Sequence, residues 1–488
     1  MGSIAIVGGG FSGSMVAAHL LRSATACRVT LIERLGPFGG GVAYGTRCAS
    51  HVLNVPAGRM SALEGDPDHF LRWLRQRDAT VKGGAFVPRP VYGEYVRHVL
   101  AEAEKAAPPG TALERIPGEA VGIERAAPTG AGREDGGLRV VLANGRATPA
   151  DAVVLAIGNF PPADPDVPSH GLFSDPRYAR DPWAHDALDV DPEAPVLLIG
   201  TGLTMLDIAL ALRDRGHRGG IHAISRRGLL PQPHRPSAAA PRHHDRPASL
   251  GRWDRTALGL LRGLRREVAR AAAHRVDWRE VVTSIRAQTP ALWGSLAAAE
   301  RRRFLEHLRP FWETHRHRAA PQTWQGVEAM LNSGQLRITA ARLEAFNPDA
   351  KGVGVEFRPR GGARTDRARV SRVINCTGPD TNLARVREAL VVSLRNAGLI
   401  RPDPLGLGLD TDEDGRVLDS HGRAGTRLFL VGPLRKGRLW ENTAVPELRV
   451  EAERLAGTLV GTLASDAARP ASPGRAGGAQ GRPSAARG

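Results

Sequence analysis

SIAIVGGGFSGSMVAAHLL, residues 3–21, is the stretch on which the fold of this chain turns. A short apolar run of β type leads into closely spaced glycines, and these lead into helical apolar spacing. A glycine loop in that strand–turn–helix setting marks a dinucleotide-binding βαβ unit. Gly8, Gly10 and Gly13 fill the three glycine positions. Glycine lets the backbone turn sharply and approach a pyrophosphate, which rests on the unpaired N–H groups and positive end of the next helix. Ser12 is the expected cap of that helix. The following apolar run, RVTLIE, ends at Glu33, 20 residues past Gly13, with Arg34 beside it. A carboxylate there accepts hydrogen bonds from a ribose 2′-OH and repels a 2′-phosphate, so FAD or NAD is expected and NADP is not. An ordinary βαβ unit with packing glycines and no ligand is the alternative.

The pattern recurs as APVLLIGTGLTMLDIALAL, residues 194–212. Gly200 and Gly202 are in place and Thr204 follows, but Met205 stands where the third glycine belongs. That glycine normally permits close helix–strand packing, so Met205 should push its helix outward or mark a different fit. The next strand, IHAIS, runs into Arg226 and Arg227 where the first unit has an acid. Guanidinium groups clamp a 2′-phosphate through charge-assisted bonds, which makes NADPH the expected second ligand, with NADH as the variant. A degenerate unit with solvated arginines is the competing reading. Two nucleotides in one enzyme imply electrons passing between them.

A second repetition follows each glycine loop. GEAVGIERAAP, GGLRVVLANG and ADAVVLAIGN form three β-type runs after the first, and AARLEAFNP, GVGVEFRPR and ARVSRVINCTG form three after the second. The triplets close on small-residue turns at Gly158 and Gly378. RLFLVGPLRKG then reads as a strand ending at Gly432, and a helix beginning near Asn442 should return to the first domain. The expected fold is α/β, with two Rossmann-like domains and a helical insertion in the second. Expected boundaries are 1–165 for a first FAD-binding part and 190–370 for an NAD(P)-binding domain with its insertion at about 229–330. A return segment over 371–466 and a disordered tail over 467–488 complete the chain.

GGGFSG, Glu33, the AIGN and NCTG turns and LFLVG together resemble flavoproteins of glutathione-reductase-like architecture. FGGGVAYGT, HVLNVPAGRMSAL, PRPVYGEYVRHVL and RPFWETHRHRAAP are similar to an uncharacterised bacterial FAD/NAD(P)-binding family. That family is itself similar to class B flavin monooxygenases, including the lysine and ornithine N-hydroxylases. The resemblance extends to about Asp466. It implies that Gly39, Gly40 and Tyr44 lie close to a flavin and that Asn54 stands near its reactive carbon. A turn role for Asn54, ahead of Pro56, is equally open. Phe173 to Trp183 has the length of the monooxygenase signature, with Asp175 replacing its glycine and Ala179 its histidine. The helix near Asn442 would aim its N–H groups at the flavin pyrimidine oxygens.

Composition narrows the classes further. With 488 residues and 42% hydrophobic content the chain can bury two or three cores. Cys27, Cys48 and Cys376 are isolated and no C-x-x-C occurs, which excludes redox-disulfide reductases of this architecture. The apolar N-terminus lacks a basic n-region and no run reaches membrane length, so a cytoplasmic location is expected, with no membrane contact. The net charge of +17 is almost all arginine and concentrates between Arg226 and Arg318, among Trp253, Trp278, Trp293 and Trp312. No nucleic-acid-binding motif accompanies it, so the expected partner is a small-molecule substrate and not nucleic acid. His234, His243, His244 and Asp245 share a Pro- and Ala-rich loop. His315 and His317 lie at i and i+2 of a helix, on different faces, so no metal site is expected. His315 and Arg316 are candidates for lining a substrate pocket. The oligomeric state is not specified by any of these features.

The chemistry implied is hydride passage from NADPH to FAD, then oxygen transfer to a soft amine, sulfur or carbonyl carbon if water is excluded. A reductase or dehydrogenase without oxygenation and a non-catalytic flavin-binding regulator are the other readings.

Overall fold

Alternation in the first strand sets the layers of the first lobe. In the computed structural model, which describes residues 2–125, 137–235 and 245–468, β1 spans Gly2–Val7 and sits inside a parallel sheet. Ile4 and Ile6 enter one core while Ala5 and Val7 enter the core on the opposite face. A parallel strand buried on both sides needs such a continuous apolar run. Against the first face lies helix α1 (Phe11–Leu21), nearly all of whose residues are buried. It packs between the sheet, helix α2 (Arg89–Lys105) and the C-terminal helix, so it is apolar all round.

Around β1 the order is β3–β2–β1–β7, with β2 at Cys27–Glu33, β3 at Ala112–Pro117 and β7 at Ala152–Leu155. Between β3 and β7 the chain makes an antiparallel meander of β4 (Ala120–Arg125), β5 (Leu138–Leu142) and β6 (Ala147–Ala150).

The second lobe repeats this plan. A short edge strand, β8 (Tyr178–Ala179), precedes β9 (Val196–Ile199), helix α3 (Leu203–Asp214) and β10 (Ile221–Ser225). β11 (Leu336–Asp349) is long because it serves twice. Its first residues pair parallel with β10, and its remainder pairs antiparallel with β12 (Gly352–Pro359), next to β13 (Asp366–Val370). β14 (Arg372–Asn375) then joins β9, giving β11–β10–β9–β14 in the same order as the first lobe. In each triplet read from the sequence, the last run thus leaves the meander and enters the parallel sheet.

Two boundaries differ from expectation. β14 hydrogen-bonds to β9 and β8, so a return segment beginning at 371 would cut into the second sheet; the pairing places the crossing after Asn375. The helix Pro321–Asn332 packs on α3 and leads into β11, which makes it the ordinary crossover of the Rossmann unit. The added helices therefore end near Ala320, about ten residues before 330. Among them are α4 (Ala257–Ala273) and α5 (Arg309–Arg316).

After the second lobe, β15 (Arg416–Leu418) and β16 (Ala424–Leu430) extend the first sheet beside β7, and helix α6 (Val445–Ala468) lies on α1. The outward and returning chains meet at a bridge between Phe160 and Asp380. The insertion packs on the return segment: Trp293 stacks on Trp440 with ring centroids 4.7 Å apart, and Trp293 Nε1 donates to the Gly437 carbonyl at 2.8 Å. Such an aromatic pair adds about 0.5–1.5 kcal/mol beyond the area it buries. A second tie joins the lobes directly, where Arg89 at the start of α2 meets the buried Asp207 of α3 at 2.6 Å. His243, His244 and the tail beyond residue 468 lie outside the described residues. Among those described, no helix is long and apolar enough to cross a membrane.

Candidate cofactor and substrate site

Two glycines of the first loop have no room for a side chain. Gly8 has φ +109°, and a Cβ on it would stand 2.2 Å from the Ala156 carbonyl oxygen; one on Gly13 would stand 1.9 Å from the Gly8 oxygen. α1 starts at Phe11 with Gly10 as its N-cap and no side-chain capping bond. Ser12 is therefore not the cap: the helix begins one residue before it, and its side chain is buried inside the first turn. What remains at Gly10 is an uncapped helix N-terminus without a Cβ in front of it, which is the cradle a pyrophosphate requires. Glu33 closes β2 and accepts hydrogen bonds from the N–H groups of Gly9 and Leu35, both at 2.8 Å. Arg34 is exposed and faces Glu119 at 3.5 Å.

A second glycine loop leans on the first. Gly39 N–H donates to the Gly9 carbonyl at 2.6 Å, and Gly40 caps the short helix Gly41–Tyr44. A Cβ on Gly41 would lie 3.1 Å from Gly10 Cα, so the two loops stack backbone on backbone. Tyr44 packs edge-on against Tyr92, 4.7 Å between centroids.

The return segment closes in from the other side. Gly432 has φ +104°, and a Cβ there would stand 3.3 Å from Ser12 Oγ. Its N–H donates to Glu451, whose carboxyl also meets Arg435 at 2.9 Å, and burial pushes the Glu451 carboxyl up. Asn442 donates to both Glu451 and the Gly432 carbonyl. α6 begins at Val445, so Asn442 lies ahead of the helix and its buried side chain is spent holding Gly432 and Glu451.

In the second lobe Gly200 has φ +104°, and a Cβ would lie 2.7 Å from the Cys376 oxygen, the counterpart of Gly8 on Ala156. The turn glycines Gly158 and Gly378 both have positive φ. Gly202 is an exposed N-cap with open space before it, and Thr204 is half-buried in the first turn of α3. Met205 is fully buried in the core with Leu198 and Ala223. Arg226 is exposed and free of ion pairs and hydrogen bonds among the described residues. Arg227 instead turns to the insertion and lies over the Phe311 ring, 4.9 Å from its centroid.

Between the lobes lies a narrow pocket, part of it open to solvent. Three pieces of chain wall it: the Asn54–Arg59 turn, the insertion from Val282 to Arg286 and Arg316 to Arg318, and Ala444 just before α6. The Asn54 carbonyl accepts from His234 Nε2 at 2.9 Å, which fixes the proton on that nitrogen. Burial, then the charge of Arg318, pushes His234 down to about 4, so the ring is neutral. Arg316 is an inward member of the wall, 3.0 Å from Glu441 and 3.7 Å from Glu447. Arg286 also grips Glu447, and Trp312 Nε1 donates to Glu441 at 2.7 Å. Burial opposes charge on Glu441, but His317 and Arg316 beside it hold its carboxyl below the usual range. His315 is not in the wall; it is exposed and packs on Trp278.

Of the residues singled out in the sequence, the folding thus collects Gly8 to Gly13, Glu33, Gly39, Gly40, Gly432 and Asn442 around one loop, and Asn54 with Arg316 around the pocket. Arg59, Arg286, Arg318, Glu441 and Glu447 escaped sequence reading, because they converge from four separate segments. Among the described residues no three metal-ligating side chains converge.

These features define a two-lobed FAD/NAD(P)-binding fold, and residues 5–160 match the family model described as FAD-NAD(P)-binding. A solved structure of reduced ornithine hydroxylase from Pseudomonas aeruginosa is 17% identical over 95% of this chain and 100% of that one, with a TM-score of 0.64. L-lysine 6-monooxygenase from Pseudomonas syringae is 16% identical over 95% and 100%, at 0.63, and a cadaverine monooxygenase from Erwinia amylovora is 13% identical over 99% of each chain, at 0.61. These likenesses establish the architecture. No curated protein matches the chain by sequence.

Proposed function

We propose that this chain is an FAD-dependent, NADPH-using monooxygenase that oxygenates a small-molecule amine. The observation that carries the reading is the position of the pocket, walled jointly by the Asn54 turn of the first lobe, the insertion of the second and the return segment. Structural neighbours with that architecture include hydroxylases and monooxygenases of ornithine, lysine and cadaverine.

Gly8, Gly10, Ser12, Gly13, Glu33, Arg34, Gly39, Gly40, Tyr44, Gly158, Gly432 and Asn442 would hold FAD. Gly200, Gly202, Thr204, Arg226, Arg227 and Gly378 would hold the nicotinamide nucleotide. Bound flavin supplies a two-electron carrier that reacts with dioxygen. Overall, an amine N–H becomes N–OH, the second oxygen leaves as water, and NADPH with one proton is oxidised to NADP⁺.

The chain's own contribution is electrostatic and positional. Arg59 and Arg318 border the pocket without a salt-bridge carboxylate among the described residues, and positive charge disfavours an ammonium group beside it. The amine is thereby kept as the free base, with the lone pair that oxygen transfer needs. Neutral His234 fixes the Asn54 turn through its carbonyl. The Trp293–Trp440 stack holds the insertion against the return segment.

Anaerobic mixing of the FAD-loaded protein with NADPH, followed by oxygen and an amine, tests the proposal. The flavin's visible colour should bleach with NADPH and return with oxygen, with one hydroxylated amine formed per cycle. A protein that takes up no flavin, or whose flavin NADPH leaves oxidised, overturns it.

A further inference from the structure

The charges around the pocket do not balance. Four guanidinium groups line it: Arg59, Arg286, Arg316 and Arg318. Two of them are matched, since Arg286 and Arg316 share Glu447 and Glu441. The other two are not. Arg59 ends the short helix Ala57–Arg59, is exposed, and has no ion pair among the described residues. Arg318 donates only to the Thr283 hydroxyl, at 3.2 Å, and its Nε is buried without a hydrogen-bond partner. Glu280 is the acidic side chain whose field reaches Arg318, but no salt bridge forms between them. Burial, with Arg316 and Arg279 nearby, pushes Arg318 down to about 10, so it keeps its proton at neutral pH while lacking a counter-charge. The two histidines offer no negative charge: His234 is neutral, and burial holds His317 down as well.

Arg318 is half-buried, and its Nε, shut off from water with no carboxylate beside it, loses hydration and gains little in return, which is costly unless an anion arrives to complete it. We propose that the pocket selects a substrate bearing an anionic group, a carboxylate or a phosphate, which Arg318 and Arg59 hold while the reacting amine reaches toward Asn54. The proposal rests on the reading of this pocket as the substrate site. It separates this chain from an enzyme for simple diamines, whose second ammonium would meet two like charges.

Calorimetric titration of the FAD-loaded protein, without NADPH, tests it with three probes of one backbone: aminopentanoate, aminopentyl phosphate and cadaverine. At least one anionic probe should bind about tenfold or more tightly than cadaverine. Arg318→Met should weaken that binding by about 10- to 100-fold, as loss of a charged hydrogen-bond donor does. Arg59→Met, at an exposed position with no ion pair among the described residues, should weaken it in the same sense, with cadaverine unaffected by either change. Cadaverine binding as tightly as both anions, absence of binding by all three probes, or equal losses for all three on Arg318→Met overturns the proposal. So does complete displacement of the anions by NADP⁺, which would assign the arginines to the nucleotide's own phosphates. Heat of binding requires neither hydride nor oxygen transfer, so a protein that selects these anions yet oxygenates nothing refutes the monooxygenase reading and leaves this one standing.

Discussion

Replacing Arg89 by methionine should loosen the lobes from each other. Asp207 is 5% exposed and Arg89 16%, and the pair closes at 2.6 Å. Removing the guanidinium leaves a carboxylate in the interface with no counter-charge, and breaking one side of a buried pair costs about 3–5 kcal/mol. At 1.36 kcal/mol per tenfold, that is a loss of at least ~100-fold in the folding equilibrium. Arg89→Met combined with Asp207→Leu removes both charges and should recover most of the loss, because two apolar groups in place of a buried pair are often neutral or better. Urea titrations followed by ellipticity, run as a double-mutant cycle, measure the coupling. The same variant should slow NADPH-driven flavin reduction, since a 1 Å misplacement between reacting groups costs up to about 100-fold. A single variant that loses under about 1 kcal/mol, or a double variant as unstable as the single, would refute the reasoning.

Gly13→Ala forces a methyl toward the Gly8 oxygen, and the overpacking, about 1–3 kcal/mol, should release flavin; the ratio of visible to ultraviolet absorbance of the purified variant reports it. His234 has a folded pKa of about 4 against 6.5 in the unfolded chain, so its stabilising effect is full above 6.5 and is lost as pH falls toward 4. The loss is at most ~3 kcal/mol by the 1.36 kcal/mol per unit rule, and His234→Gln should flatten the difference between urea midpoints at neutral and acidic pH. Arg226→Ser should raise the KM for NADPH about tenfold or more and leave that for NADH alone; equal changes for both would remove Arg226 from 2′-phosphate recognition.

How much the sequence disclosed depended on how local each cause is. Gly8, Gly13 and Gly200 sit where φ is positive or a Cβ has no space, a constraint that forces glycine whatever surrounds it. Glu33 follows from strand length alone. The start of α1 was misread by two residues, because three consecutive glycines permit either Gly10 or Ser12 to cap. The contact of Arg227 with Phe311 was not legible, because that ring comes from a helix more than eighty positions away. The unmatched arginines were hidden for the same reason: charge balance is a property of the assembled wall, and +17 spread over the whole chain does not show where two charges are left over.

The meeting of Phe160 with Asp380 gives the chain a neck through which the second lobe is threaded into the first. Since β7 and β16 lie side by side whatever intervenes, the lobe is a guest that could be cut out at that neck and replaced by a short loop without breaking the host sheet. The host would then show a bare indole at Trp440, and the freed guest another at Trp293. Each piece thus carries an adhesive patch that the other covers.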